Sequence, residues 1–177
     1  MTVHDALSQP TAREVLEAFY AAERVYMAAG GAAAGASFDQ MAATLHPDVV
    51  LHQTPDLPWG GEYVGHDGFR DWSVQMSGHF DIVDVQNAVL LTQDNQVVIL
   101  CDLVTRTRAT GETLMLPMAQ VVTVRDGQIT EFRPFYWNVP RYVAATRAAP
   151  AADSAPAGTT AATSSSPPAL SATEARP

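Results

Sequence analysis

The sequence contains no lysine: all ten basic residues are arginine, set against nineteen Asp and Glu for a formal charge of −9. That absence removes the Schiff-base lysine, the phosphate-binding lysine of a P-loop and the serine–lysine dyad. The arginines are scattered through an acidic chain, without the clustered positive charge that a nucleic-acid backbone requires, so no nucleic-acid partner is expected. A lone cysteine, Cys101, rules out an internal disulfide and a thiolate metal cluster. It sits in the apolar run 97–104 and reads as a buried, inert thiol. No apolar run approaches the ~20 residues of a membrane span. The opening Met-Thr-Val-His-Asp has no basic segment ahead of an apolar one, so the chain reads as cytoplasmic, with no membrane partner. G-x-S-x-G, H-E-x-x-H, G-x-G-x-x-G and Walker patterns are all missing, which leaves serine hydrolase, metallopeptidase and nucleotide-binding readings without support. The histidines are widely spaced, and no metal site is expected.

What is present suits one globular domain: 177 residues, 47% hydrophobic and 16% charged. Residues 148–177 are almost entirely Ala, Pro, Ser and Thr and bury too little to offset their ordering entropy, so a disordered tail is expected there. Residues 1–10 read as an N-terminal extension and 11–147 as the folded domain. Thr11 to Glu14 form a T-x-x-E capping box, and Val15, Phe19, Ala22, Tyr26 and Ala29 then place one apolar stripe on a long helix. A second box at Ser37 and Gln40 opens a short helix that ends before Pro47. Residues 49–53 read as a strand and 62–64 as a brief extended piece. Asp67 is placed to cap a third helix carrying Phe69, Trp72 and Met76 as far as Gly78. Four β segments follow near 82–92, 97–108, 113–125 and 129–138, joined by hairpin turns. Helices first and antiparallel strands afterwards predict an α+β fold in which a curved sheet buries one face against the helices.

This order resembles the nuclear transport factor 2-like superfamily of cone-shaped α+β domains, and within it the SnoaL-like group. The resemblance is carried by Asp48-Val-Val-Leu-His52, Pro58-Trp-Gly-Gly-Glu-Tyr-Val-Gly65, Val124-Arg-Asp-Gly-Gln-Ile129 and Arg133-Pro-Phe-Tyr-Trp-Asn138. It implies a curved antiparallel sheet wrapped around the long first helix, three helices in all, and an apolar pocket at the open end of the cone. It also implies chemistry without a cofactor, a hydrophobic small-molecule substrate and a homodimer paired through the outer sheet face. Set against ketosteroid isomerase, the Thr11–Val15 start aligns, and the oxyanion tyrosine then falls on Ala22, the general-base aspartate on Gln53 and the protonated acid near Pro117. None of those three side chains can do that enzyme's work, because a carboxamide does not take up a proton near neutral pH and alanine and proline donate nothing.

The acid–base candidates are therefore the titratable residues near that pocket. His52 stands beside the lost base position, and its imidazole suits proton exchange near pH 7; on strand parity it faces away from Val49, Leu51 and Gln53. Asp56 could orient that imidazole or form an Asx turn before Pro58. His79, just past the third helix, either caps its carbonyls or reaches into the cone. Asp102 is the one carboxylate in the run 97–104, where burial would raise its pKa, but parity argues against that, since it shares a face with Arg106 and Arg108, and a cross-strand ion pair on the outer sheet is the competing account. His46 reads as structural, and His4 and His66 as solvated. Gln53, Trp59, Tyr63, Trp72, Met118, Gln120, Phe132, Tyr136 and Asn138 are the candidate substrate contacts. Gln120 faces inward only if Leu114, Leu116 and Met118 do, the opposite choice turning Pro117 inward. Two functions fit: a cofactor-independent cyclase, isomerase, dehydratase or epoxide-opening enzyme, or a non-catalytic binding or dimerisation module.

Overall fold

The structure, a computed structural model, describes residues 9–147. The expected tail at 148–177, most of the N-terminal extension and His4 lie outside the described residues. Helix α1 (Ala12–Ala28) opens with the expected capping box: the Glu14 amide donates to Thr11 Oγ1 at 3.3 Å and the Thr11 amide donates to Glu14 Oε2 at 2.7 Å. Its buried side is wider than the single stripe, taking in Leu16, Tyr20, Glu23 and Met27 beside Val15, Phe19, Ala22 and Tyr26. A short 3₁₀ turn (Ala32–Ala34) leads to α2 (Asp39–Ala42), a single turn in which Ser37 Oγ accepts from the Asp39 amide. Strand β1 (Leu45–Gln53) starts earlier than the pattern suggested, running through Pro47. Strand β2 (Gly61–Val64) is short, and α3 (Gly65–His79) begins two residues before Asp67. Asp67 therefore lies within the first turn, where its carboxylate favours the positive end of the helix and pairs with Arg70 at 2.6 Å.

Four long strands follow: β3 (Phe80–Gln93), β4 (Gln96–Thr107), β5 (Thr113–Arg125) and β6 (Gln128–Tyr136). The β5–β6 hairpin turns at Asp126-Gly127, both with φ positive (50° and 75°), which is the geometry that a two-residue loop demands. The six strands form one curved, unclosed sheet in the order β2-β1-β6-β5-β4-β3. All neighbours are antiparallel except β1 and β6, which run parallel, so the sheet is mixed rather than purely antiparallel. A bulge between Gln86 and Val89, with Asn87 at φ 53°, bends β3.

A fourth helix, α4 (Val139–Arg147), is one more than the resemblance implied. Asn138 starts it by accepting from the Arg141 amide at 3.0 Å. Tyr142 anchors it, fully buried against Trp59, Phe80 and Tyr136 with ring centroids 5.3–5.7 Å apart. Helix α1 lies across the inner face against β3 and β6, and the core fills the space between them. No helix among the described residues is long and apolar enough to cross a membrane.

Candidate active site

Strand parity decides which side chains meet the helix. On β4, Val97, Ile99, Cys101, Leu103 and Thr105 are buried and inward, which turns Asp102 and Arg106 outward. On β5, Met118, Gln120 and Val122 are buried, and Pro117 therefore faces out. On β1, Val49, Leu51 and Gln53 point in and His52 points out.

Between α1, α3 and the inner sheet lies a cavity of about 30 Å³, room for one or two waters. Its polar lining consists of Tyr20 and Glu23 from α1, Gln53 from β1, Gln120 from β5 and Tyr136 from β6. The remainder is apolar, with Phe19, Trp72, Met76, Leu103, Met118 and Phe132 among the walls. Leu51 pairs with Phe132 in the parallel β1–β6 register, so Gln53 lies level with Pro134; Gln120 pairs with Pro134 from the other side. The two carboxamides thus flank Pro134 in one row of the sheet, below the helix that carries Glu23.

A phenol fixes each carboxamide. Tyr136 Oη donates to Gln53 Oε1 at 3.1 Å, and Tyr20 Oη donates to Gln120 Oε1. With both amide oxygens occupied, the amide N–H groups are the free ends; Gln120 Nε2 has only a long contact, 3.8 Å, to Met118 Sδ. Burial raises both phenol pKa values above the ordinary tyrosine range, so each hydroxyl keeps the proton it donates. Trp72 adds a buried indole N–H that meets no acceptor.

Glu23 is the one carboxyl in the cavity lining. Burial pushes its pKa up from 4.5 to about 8; the neighbouring Arg24 pulls it down somewhat and Asp84 pushes it up. Among the described residues no side-chain hydrogen bond compensates the carboxylate. Glu23 is not among the candidates that the resemblance suggests, although the helical spacing signals it. Glu23 lies four residues after Phe19, three after Tyr20 and three before Tyr26, which puts a carboxylate within the apolar face of α1.

The expected acid–base residues stand elsewhere, and none of His52, Asp56, Asp102 and His79 lines this cavity. His52 is on the outer face between Glu62 (3.2 Å) and Glu131 (3.1 Å) on the two strands flanking β1. Asp56 is exposed and borders a groove beside α4. Asp102 lies on the outer face and accepts from Asn87 Nδ2 at 2.9 Å; Arg106 pairs instead with Asp81 through two bonds of 2.8 Å. His79 ends α3 with its ring 5.2 Å from that of Trp59, and burial lowers its pKa. His66 is tied to the Leu45 carbonyl at 3.0 Å rather than solvated, and His46 accepts from the Asp48 amide. Among the expected substrate contacts, Gln53, Trp72, Met118, Gln120, Phe132 and Tyr136 line the cavity. Trp59 is core under α4, Tyr63 donates to the Trp59 carbonyl at the sheet edge, and Asn138 is an exposed helix cap. Among the described residues no group of three or more His, Cys, Asp or Glu is placed to hold a metal ion. Cys101 is buried, and desolvation pushes its thiol up to about 11.

A helix and a curved sheet enclosing a small, mostly apolar cavity define the class of α+β cone-type domains. The family model of the SnoaL-like domain matches residues 16–132, and the chain belongs to that family. Solved structures share the fold. TerC, co-crystallised with polyporic acid, aligns with a TM-score of 0.64 at 19% identity over 77% of this chain and 98% of its own. A nuclear transport factor 2-like protein from Burkholderia thailandensis aligns at 0.62 and 19% identity, over 79% of this chain and 100% of its own. A protein from Xanthomonas campestris pv. campestris described as a polyketide cyclase aligns at 0.59 and 23%, over 76% and 96%. No curated protein matches.

Proposed function

We propose that the protein is a cofactor-independent acid–base enzyme that moves a proton within a small, apolar carbonyl compound, with Glu23 as both base and acid. The observation that carries this is a carboxyl of pKa about 8 in an otherwise uncharged cavity. A pKa close to the working pH leaves roughly one molecule in ten ionised at pH 7 and the remainder able to donate, which suits a group that must first take and then return a proton. The carboxylate of Glu23 takes the proton from the carbon next to the carbonyl, and the electron pair of that C–H bond passes to the carbonyl oxygen. The carboxamide N–H groups of Gln53 and Gln120, whose oxygens the two phenols occupy, are the donors in the lining available to hold that oxygen, and neither titrates. Where the substrate has a C=C bond conjugated with the enolate, the new carboxylic acid returns the proton to the far carbon of that bond as the carbonyl re-forms, giving the isomer with every atom retained.

Tyr20 and Tyr136 act through the carboxamides they fix. The polyketide-cyclase and polyporic-acid names among the structural neighbours support a small-molecule site in this fold. The cavity is too small for an organic guest until its walls move, and Met76 and Met118, unbranched and flexible, are the side chains suited to give way. That small volume is also what favours the second reading, a dimerisation module without turnover.

Deuterium exchange separates the two readings. In D₂O with a panel of small ketones and 1,3-diketones, the protein is expected to speed incorporation next to the carbonyl, as read by proton NMR. Glu23→Gln should lower that rate by about 10²–10⁴-fold, while His52→Ala and Asp102→Asn leave it unchanged. Equal rates for Glu23→Gln and the wild type would return the protein to the non-catalytic reading.

The expected homodimer is proposed to form through the outer sheet face. Val89, Leu100, Ala119 and Phe135 make one continuous row across β3, β4, β5 and β6, and Leu91, Met115 and Trp137 are also exposed. Analytical ultracentrifugation is expected to show a dimer that Leu100→Glu with Phe135→Glu converts to monomer; a monomeric wild type would contradict the pairing.

A further inference from the structure

The outer face of the sheet carries an open groove that the proposed reaction does not use. About 450 Å³ in volume, it is bounded by Leu100 of β4, Pro117 and Ala119 of β5, Phe135 of β6 and Trp137 just beyond that strand, and no charged side chain lines it. Alternation along the strands turns Pro117, Ala119, Phe135 and Trp137 away from the core, opposite Met118, Gln120 and Tyr136. Trp137 is 82% exposed, more than any other large apolar residue among those described. Its backbone is pinned on both sides: the Trp137 amide donates to the Pro117 carbonyl at 3.3 Å, and the next residue, Asn138, caps α4. The indole is therefore held in water at the rim of an apolar groove.

Area, charge and position all point to a second copy of this chain as the occupant. The exposed parts of Trp137, Phe135, Leu100, Val89, Leu91 and Met115 come to on the order of 700 Å². That exceeds the apolar patch of an ordinary monomer, about 300–600 Å², and approaches the ~800 Å² that each partner gives to a stable interface. Two copies that each carry −9 repel one another, and the groove with the row Val89, Leu100, Ala119 and Phe135 is a surface on which they meet without setting carboxylate against carboxylate. Trp137 is also a wall of the groove that it adjoins. In a two-fold interface a patch meets its own copy, so a side chain near the axis of one subunit faces the same region of the other.

We infer that two copies lock together by reciprocal insertion, the Trp137 indole of each entering the groove that Leu100, Pro117, Ala119 and Phe135 form on the other. This rests on the pairing through the outer sheet face and adds the side chain that anchors it and the pocket that receives it. A tryptophan seated in an uncharged pocket is the usual form of an interface hot spot. Trp137 then carries a large share of the affinity, and the rest of the face excludes water around it.

Sedimentation and fluorescence on the full chain test this. Trp137→Ala should raise the dimer Kd about 30-fold or more, and Ala119→Arg, which blocks the groove, should do the same, with circular dichroism of both variants unchanged. An equimolar mixture of the two variants should form more dimer than either alone, because the mixed pair keeps one of the two insertions: the intact Trp137 of one in the intact groove of the other. Trp59 and Trp72 are buried, so Trp137 is the one tryptophan of the three that acrylamide reaches freely, and its quenching should fall as the wild type dimerises. A dimer that Leu100→Glu with Phe135→Glu breaks but Trp137→Ala leaves intact would overturn the insertion while the face pairing stands. Quenching that does not change on dimerisation, or a mixture no more dimeric than its components, would overturn it equally. A monomeric wild type would overturn both.

Discussion

Relative to the wild type, Glu23→Gln is expected to gain on the order of 4–5 kcal/mol of stability between pH 4 and pH 9. In the unfolded chain the Glu23 carboxyl ionises near its ordinary value of 4.5, and in the folded protein burial holds it protonated up to about 8. Between those two values unfolding releases a proton, so raising the pH favours the unfolded state. The loss begins as pH passes 4.5 and is complete above about 8, where the folded protein must also carry the charge. Glutamine has the same shape and no proton to release, so this contribution to the slope disappears in the variant. Urea unfolding of both proteins at pH 4, 7 and 9 measures the widening gap directly. Parallel stability curves would mean that the carboxyl is hydrated, and the acid–base role would lose its physical basis.

The second large effect concerns the core. Trp59→Ala is expected to cost about 3–5 kcal/mol, the usual range for removing a fully buried aromatic side chain. Trp59 is wholly buried, packs edge-on against Phe80 and Tyr142, and holds α4 to the end of the sheet. It does not line the inner cavity, so its loss should lower stability much more than it alters the affinity of any ligand that cavity holds. Trp72→Ala is the comparison, because Trp72 is part of the cavity wall. A cost below 1 kcal/mol for Trp59→Ala would show that α4 is not anchored there.

How much of this was legible in the sequence varies with the kind of signal. The capping box at Thr11 and Glu14 and the hairpin turns are local chemistry, and they placed α1 and the strands β3 to β6 to within a few residues. Helix α4 was missed because its start depends on Asn138 accepting from the Arg141 amide and its stability on Tyr142 packing against Trp59 and Phe80, contacts made across the fold. The parallel pairing of β1 with β6 is likewise non-local.

For the site, period-two reasoning correctly set Asp102 with Arg106 and apart from Ile99 and Cys101, and it also set His52 opposite Gln53. It could not choose the inward face of β5 around Pro117, since both faces of that strand carry apolar residues; packing against α1 settles the choice in favour of Gln120. The resemblance points to the strands and loops for an acid–base group. The group that the fold buries came instead from α1, where Glu23 interrupts a face otherwise made of Phe19, Tyr20, Tyr26 and Met27.

The most direct measurement is the titration of the Glu23 side-chain carboxyl by ¹³C NMR, its resonance assigned by its disappearance in Glu23→Gln. The account predicts a midpoint near pH 8. A midpoint near the ordinary glutamate value of about 4.3 would contradict it, because a carboxylate already ionised at that pH is in contact with water and has neither the proton to give nor the environment that makes it an acid.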